Sequence, residues 1–500
     1  MQKRKKKNKI LPVCFSCLLL IVGVCCSKSD FSKAIQVSCE PFIYPDYTDI
    51  VIPPNIAPLN FMVSDSFDRV IATLKGTKGE MQVKGRRKIS FKDHFFKVFL
   101  EENKGDTIWI EVAARKDGKW IKYSPFFWFV ANEPIDPWLT YRLIEPGYEV
   151  WNKINISLRN VTNFQVKVIA DNNMADNACM NCHTANKQNP EMSFFHIRHS
   201  KRGGTIVNER GHLRKINTTS DKTISAGVYG SWHPRGRFIA FSTNIIVPAF
   251  YSVPHKKMEV YDATSDLVIL DLKRNEIFSG EAISQEGKFE TFPEFSADGK
   301  RLFFCVADSV KLPDDYKFLK YNLCVVDFDT ASRTFGEKVD TIFSADRYNK
   351  TVSEPRVSPD GKYILVTVFD YGTFPIWHSE AKLNLIDLKT GEINPLPDVN
   401  NNNKKYSNSY HCWSSNSRWI VFASKRENGL YGMPYFAYID KKGQGHKSFV
   451  LPQRNPEFYG YFYKSFNIPE LFAVQPNFGV ADIERIFKEP AEKVTFIGGR

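Results

Sequence analysis

The sequence predicts an all-β protein, a β-sandwich-like domain followed by a β-propeller with a short segment between them. Three observations predict it. Aromatic residues make up 14% of the chain, with 40 Phe and 21 Tyr, and such residues are enriched in strands. Short apolar runs bounded by turn residues fill the first third. In the second half a turn-and-strand unit recurs. Its turn falls at residues 235, 298, 360 and 416, so the steps are 63, 62 and 56 residues. A near-constant period with one hairpin per repeat signals a radial array of blades.

Composition excludes several classes. Hydrophobic residues are 43% and charged residues 25%, ordinary globular usage that rules out disorder, collagen-like repeats and a polytopic membrane protein. The net charge of +13 is misleading. Lys3, Arg4, Lys5, Lys6, Lys7 and Lys9 supply six of the 68 positives against 55 acids, and no acid precedes Asp30. Without them the chain is only mildly basic, which gives no reason to expect nucleic acid as a partner.

In chain order, residues 1–25 come first. The basic run, the apolar stretch Ile10–Val24 and then Cys25, Cys26, Ser27 and Lys28 form an export signal. Its ending resembles a bacterial lipoprotein signal, which implies lipidation at Cys26 (or Cys25), membrane attachment through that lipid, and a cell-envelope location facing the periplasm or the outer surface. Disulfides are permitted there.

Residues 30–170 are expected to form the β-sandwich-like domain. Strands are expected at Ile50–Ile52, Leu59–Val63, Phe95–Leu100 and Thr107–Val112, with a hairpin from Trp109 to Trp120 turning through Arg115-Lys116-Asp117-Gly118.

Residues 171–200 hold the most informative run, Cys179-Met180-Asn181-Cys182-His183. Cys-x-x-Cys-His is the attachment signature of c-type haem. Two thiols add to the two vinyl groups on one porphyrin edge, and the adjacent histidine reaches the iron. That assigns haem c as cofactor, Cys179 and Cys182 to the thioethers and His183 to the proximal ligand. With Cys and His each at 10 of 500 residues, chance would produce the pattern roughly 0.004 times. A disulfide, or half a zinc site completed by His196, His199 or His212, are the competing uses. For the distal ligand His196 or Met192 is favoured, with Met174, His199 and His212 as further options. A thioether would raise the potential and a second histidine lower it.

Residues 201–475 carry the repeats, Trp232–Ser242, Phe295–Cys305, Val357–Thr367 and Trp413–Ala423, each a strand end, a tight turn and an apolar strand. A second signature follows each, a strand closed by Asp, at Asp262, Asp327, Asp387 and Asp440. Residues 476–500 form a tail whose segment Val480–Lys493 reads as a short helix broken near Pro490.

The Ser-Pro-Asp-Gly-Lys pattern at Ser358–Lys362 and its relatives resemble the WD40-like PD40 repeat of TolB-type β-propellers. That resemblance covers about residues 205–455. It implies six or more blades, so flanking sequence must supply degenerate ones, and it implies a fold more than a function. The whole chain also resembles a group of bacterial envelope lipoproteins that join a β-domain, one Cys-x-x-Cys-His and a PD40 propeller. Pro45–Thr48 through Pro53–Phe61, and Ile144–Trp151, carry that likeness, which implies envelope location and haem but no particular substrate.

Cys305 and Cys324 fall on consecutive strands, where a disulfide is geometrically possible, but free buried thiols are the favoured reading for them and for Cys412. No Gly-x-Ser-x-Gly elbow, phosphate loop, His-Glu-x-x-His or EF-hand loop occurs. Three functions remain open. One is a monohaem electron-transfer protein whose propeller docks a redox partner. Another is a scaffold or binding propeller with structural or absent haem. The third is a peroxidase-like enzyme with an open iron.

Overall fold

The computed structural model describes residues 33–63, 66–145, 153–253, 256–401 and 406–498. The leader, Cys25 and Cys26, and part of the Ile144–Trp151 segment lie outside these residues.

Six four-stranded antiparallel sheets form the propeller. Blade 2 is Cys179–Asn186, Asn189–Arg198, Gly204–Glu209 and His212–Asn217. Blade 3 is Val228–Trp232, Phe238–Val253, Lys256–Asp271 and Glu276–Phe278. Blade 4 is Lys288–Phe295, Arg301–Asp308, Asn322–Asp329 and Thr334–Phe343. Blade 5 is Thr351–Val357, Tyr363–Phe369, Lys382–Asp387 and Ile393–Asn394. Blade 6 is Asn408–Trp413, Trp419–Ser424, Met433–Tyr438 and Phe449–Val450. Blade 1 is composite. Trp138–Ile144, Ile154–Asn160 and Val166–Asp171 take Ser465–Phe472 as their innermost strand. The six inner strands touch in succession, and blade 1 closes the ring against blade 2.

In blades 4, 5 and 6 the recurring turn has one hydrogen-bonding scheme. Ser296, Ser358 and Ser414 each receive a backbone N–H five residues on, from Arg301, Tyr363 and Trp419, all at 3.0 Å. Each serine hydroxyl also donates to the side chain two residues on, Asp298, Asp360 or Asn416, at 2.6, 2.7 and 2.6 Å. The next position needs positive φ, supplied by Gly299 (77°) and Gly361 (71°), and in the last copy by Ser417 (60°).

Several boundaries differ from the sequence expectation. The propeller begins at Trp138, so part of the expected sandwich is blade 1. The expected separate segment 171–200 is the first half of blade 2. In blade 3 the strand-closing aspartate is Asp271, opposite Phe238 as Asp327 is opposite Arg301, whereas Asp262 lies inside a 16-residue strand. Residues 95–100 are helical, not extended. Within the helix Asp93–Glu102 the buried side chains are Phe96, Phe99 and Leu100, a helical spacing.

The N-terminal domain is a seven-stranded mixed sheet with a small three-stranded sheet. Its hairpin turns at Asp117 and Gly118, both with positive φ, as expected. One apolar cluster runs from this domain into blades 5 and 6. Polar ties reinforce the junction. Asp136 accepts from the Ser415 hydroxyl and backbone at 2.6 and 2.7 Å, and the Trp419 indole donates to the Glu133 carbonyl at 2.9 Å. The tail helix is Val480–Lys488. Beyond it, Glu492–Lys493 and Thr495–Phe496 add parallel edge strands to blades 2 and 3.

Candidate functional site: the central channel and its funnel

Every inner strand carries the same irregularity midway along. The register slips in each, and the residue at the slip has positive φ. These are Cys182 (55°), Tyr229 (48°), Phe292 (50°), Glu354 (55°), Tyr410 (49°) and Ile468 (48°). Such bulges re-aim side chains, and here they ring the channel. Cys182-His183 is therefore the blade 2 counterpart of Tyr229-Gly230, Glu354-Pro355 and Tyr410-His411.

The channel core is narrow, about 50 Å³, between Cys182, His183, Tyr229, Glu354 and Tyr410. Glu354 Oε2 accepts the Tyr410 N–H at 2.7 Å and the Thr367 hydroxyl at 3.2 Å, and Oε1 has no partner. Burial pushes this carboxyl up to about 7. One end of the channel is stoppered. Phe374, from the loop between the second and third strands of blade 5, meets Tyr229 and Phe292 at 5.5 and 5.8 Å, and those two rings lie 4.7 Å apart. His378 on the same loop holds Glu259 of blade 3 at 3.1 Å and Glu380 at 2.9 Å. These contacts raise its pKa despite burial.

The other end opens into a funnel of about 340 Å³. At its floor Arg356 lies between two carboxylates, with Nη2 3.3 Å from Glu470 and Nη1 3.6 Å from Glu294. The arginine side chain is 28% exposed, the glutamates 7% and 13%. Burial raises both glutamate pKa values, and Arg356 opposes it. At the rim, the turn of blade 2 places Lys187 and Gln188 at φ 50° and 57°. A tight hairpin prefers Gly or Asn at such positions, and strained turns concentrate at functional sites.

The residues expected to bind haem are not arranged for it. Cys179 is half-buried against the apolar cluster between blades 1 and 2. His183 is buried, and neither ring nitrogen has a partner. The backbones of Thr140 and Ile468 stand near without reaching hydrogen-bond geometry. Burial, with Arg142, pushes its pKa down to about 3. The space beside it is about 20 Å³ toward blade 1 and 50 Å³ in the channel, where a bound cofactor takes roughly 300 Å³ or more. His196 faces blade 3, against Phe194 and Phe241 at 5.5 and 5.6 Å, with Nδ1 on the Thr205 hydroxyl at 2.9 Å. Met192 packs at the turn near Gly236. Neither lines the spaces beside His183. The orphaned His183 nitrogens are the one feature that suits a ligand, but the porphyrin itself does not fit this arrangement. Met174 lies against the same apolar cluster as Cys179, His199 is 3.4 Å from Asp176, and His212 is exposed. Among the described residues no group of three or more His, Cys, Asp or Glu could hold a metal ion.

All six described cysteines are free thiols. Cys305 and Cys324 project into different apolar clusters on opposite faces of blade 4, as the preferred reading expected. Arg356, Glu294, Glu354 and Glu470 escaped sequence reasoning. The signal was present as charges inside otherwise apolar inner strands.

No family model matches the chain, and no curated protein matches it significantly. Solved structures overlap weakly. TolB from Acinetobacter baumannii is 13% identical, with 73% of this chain and 79% of that one covered and a TM-score of 0.42. Prolyl oligopeptidase B from Galerina marginata is 13% identical over 80% of this chain, TM-score 0.35, and this chain spans 55% of its length. A DUF4784 family protein from Bacteroides caccae is 7% identical, with 82% and 97% covered and a TM-score of 0.32. At such scores the propeller assignment rests on the strand pairing above.

Proposed function

We propose that the protein is a binding propeller of the bacterial cell envelope, and that the funnel around Arg356 seats its partner. The observation that carries this reading is the pairing of an open funnel, floored by a partly exposed Arg356 between Glu294 and Glu470, with a channel stoppered at its other end. Such a site offers a concave, charged surface on one face only. The basic and apolar leader ending at Cys25 and Cys26 supports the envelope location. The apolar contacts and hydrogen bonds that fix the N-terminal domain to blades 5 and 6 support a rigid two-domain scaffold. Electron transfer through a covalent haem is the weaker reading, because the Cys179–His183 strand is built into the sheet.

The test is retention of envelope proteins on immobilised mature protein and on Arg356→Met, both checked for folding by circular dichroism. A partner held by the first and lost by the second supports the proposal. Equal retention by both would sink it.

A further inference from the structure

We propose a second ligand site, a cleft between blades 2 and 3 that binds a small molecule through an oxyanion, phosphate or carboxylate. The cleft lies on the side of the propeller where the inner strands begin, away from the funnel, and holds about 650 Å³. That is within the ~300–1,000 Å³ of small-molecule sites.

Its lining is one-signed. Arg198, Lys201, His196 and His199 line it, with polar Asn217 and Asn244, and no Asp or Glu does. Arg198 and Lys201 are exposed, and among the described residues neither forms an ion pair with a carboxylate. Of the nearby acids, Asp176 is shared by His199 and Arg202, and Asp262 is fully buried, accepting from Asn244 at 2.6 Å through Oδ1 while Oδ2 has no partner among the described residues. His199 is committed too, since its Nδ1 accepts the backbone N–H groups of Lys201 and Arg202 at 3.1 and 3.0 Å. That contact fixes the turn which presents Lys201. The Arg198 guanidinium stands near the Tyr229 hydroxyl, and no carboxylate among the described residues holds it. His196 is buried, spends Nδ1 on Thr205 and leaves Nε2 unpartnered. Two cations with no carboxylate partner among the described residues, in a cleft lined by no acid, focus a positive potential, and a guanidinium suits the fork geometry of an oxyanion.

The same chemistry could come from a free metabolite or from an anionic lipid headgroup. The experiment uses the mature full chain with three probes, inorganic phosphate, citrate and phosphatidylglycerol vesicles, by calorimetry in 150 mM NaCl. Saturable binding of phosphate or citrate, weakened tenfold or more by Arg198→Gln and about threefold by Lys201→Gln, supports the site. The control Arg235→Gln, an exposed cation on the funnel face, should change nothing. Arg198→Lys, which keeps charge without the fork, should fall between wild type and Arg198→Gln. Binding of vesicles alone with the same variant pattern supports the site and identifies a headgroup as its source. No saturable binding of any probe, or binding indifferent to Arg198→Gln, overturns the proposal.

Discussion

Glu354→Gln should flatten the pH dependence of stability. Glu354 is 6% exposed, and burial moves its pKa from the ordinary 4.5 to about 7. Between those values the folded state retains a proton that the unfolded chain has released. Stability therefore falls as pH rises through this window, and the loss is complete above about pH 8. The separation of the two values corresponds to about 3 kcal/mol. Glutamine copies the protonated form. Its carbonyl can accept from Tyr410 and Thr367 as Oε2 does, and it does not titrate. Asp262 and Glu290, whose pKa values burial also raises, to about 7 and about 8, contribute the same slope to both proteins and cancel. Urea unfolding at pH 5 and pH 8 measures the difference. The variant should gain about 2–3 kcal/mol on wild type between the two pH values. Parallel curves for the two proteins would refute the buried, partly unpaired carboxyl.

Arg356→Met should cost about 2–4 kcal/mol, because it leaves Glu294 and Glu470 buried without a cation. Adding Glu294→Gln and Glu470→Gln should recover part of that loss in the same urea assay. Gln188→Gly should stabilise the protein by roughly 0.5–1 kcal/mol by relieving positive φ in the blade 2 turn, read as a higher Tm. The folded protein, matured alongside haem-attachment machinery, should give no pyridine-haemochrome signal. A stoichiometric signal would mean that Cys179 to His183 leaves the sheet.

Four of the six blades were legible because their turn is a local device. In blades 4, 5 and 6 a serine, a carboxylate or amide two residues on and a residue tolerant of positive φ are all specified within five positions, and in blade 3 His233 takes the serine's place, accepting the Arg235 N–H at 3.2 Å ahead of Gly236. Blade 2 turns instead through Asn186-Lys187-Gln188-Asn189, so nothing in its sequence matched. Blade 1 could not be read locally, since its inner strand comes from residues 465–472. The Cys-x-x-Cys-His pattern ends on the blade 2 bulge, and the corresponding bulges of other blades hold Tyr-Gly, Phe-Pro and Tyr-His, so the motif could not announce that its residues lie on an inner strand. Asn400 opens a polar run, yet it is buried and bonds the Leu383 backbone in both directions.

The composite first blade sets an order on biogenesis. Thr140 and Glu470, bonded across the closing sheet, are 330 residues apart, so the ring cannot shut until nearly the whole chain has emerged. Until then blade 1 lacks its innermost strand, and Trp138–Ile144 is an unpaired edge able to recruit the wrong partner, including the closing strand of a second copy. A truncation before residue 465 should therefore give entangled oligomers instead of a smaller soluble propeller, read by size-exclusion chromatography.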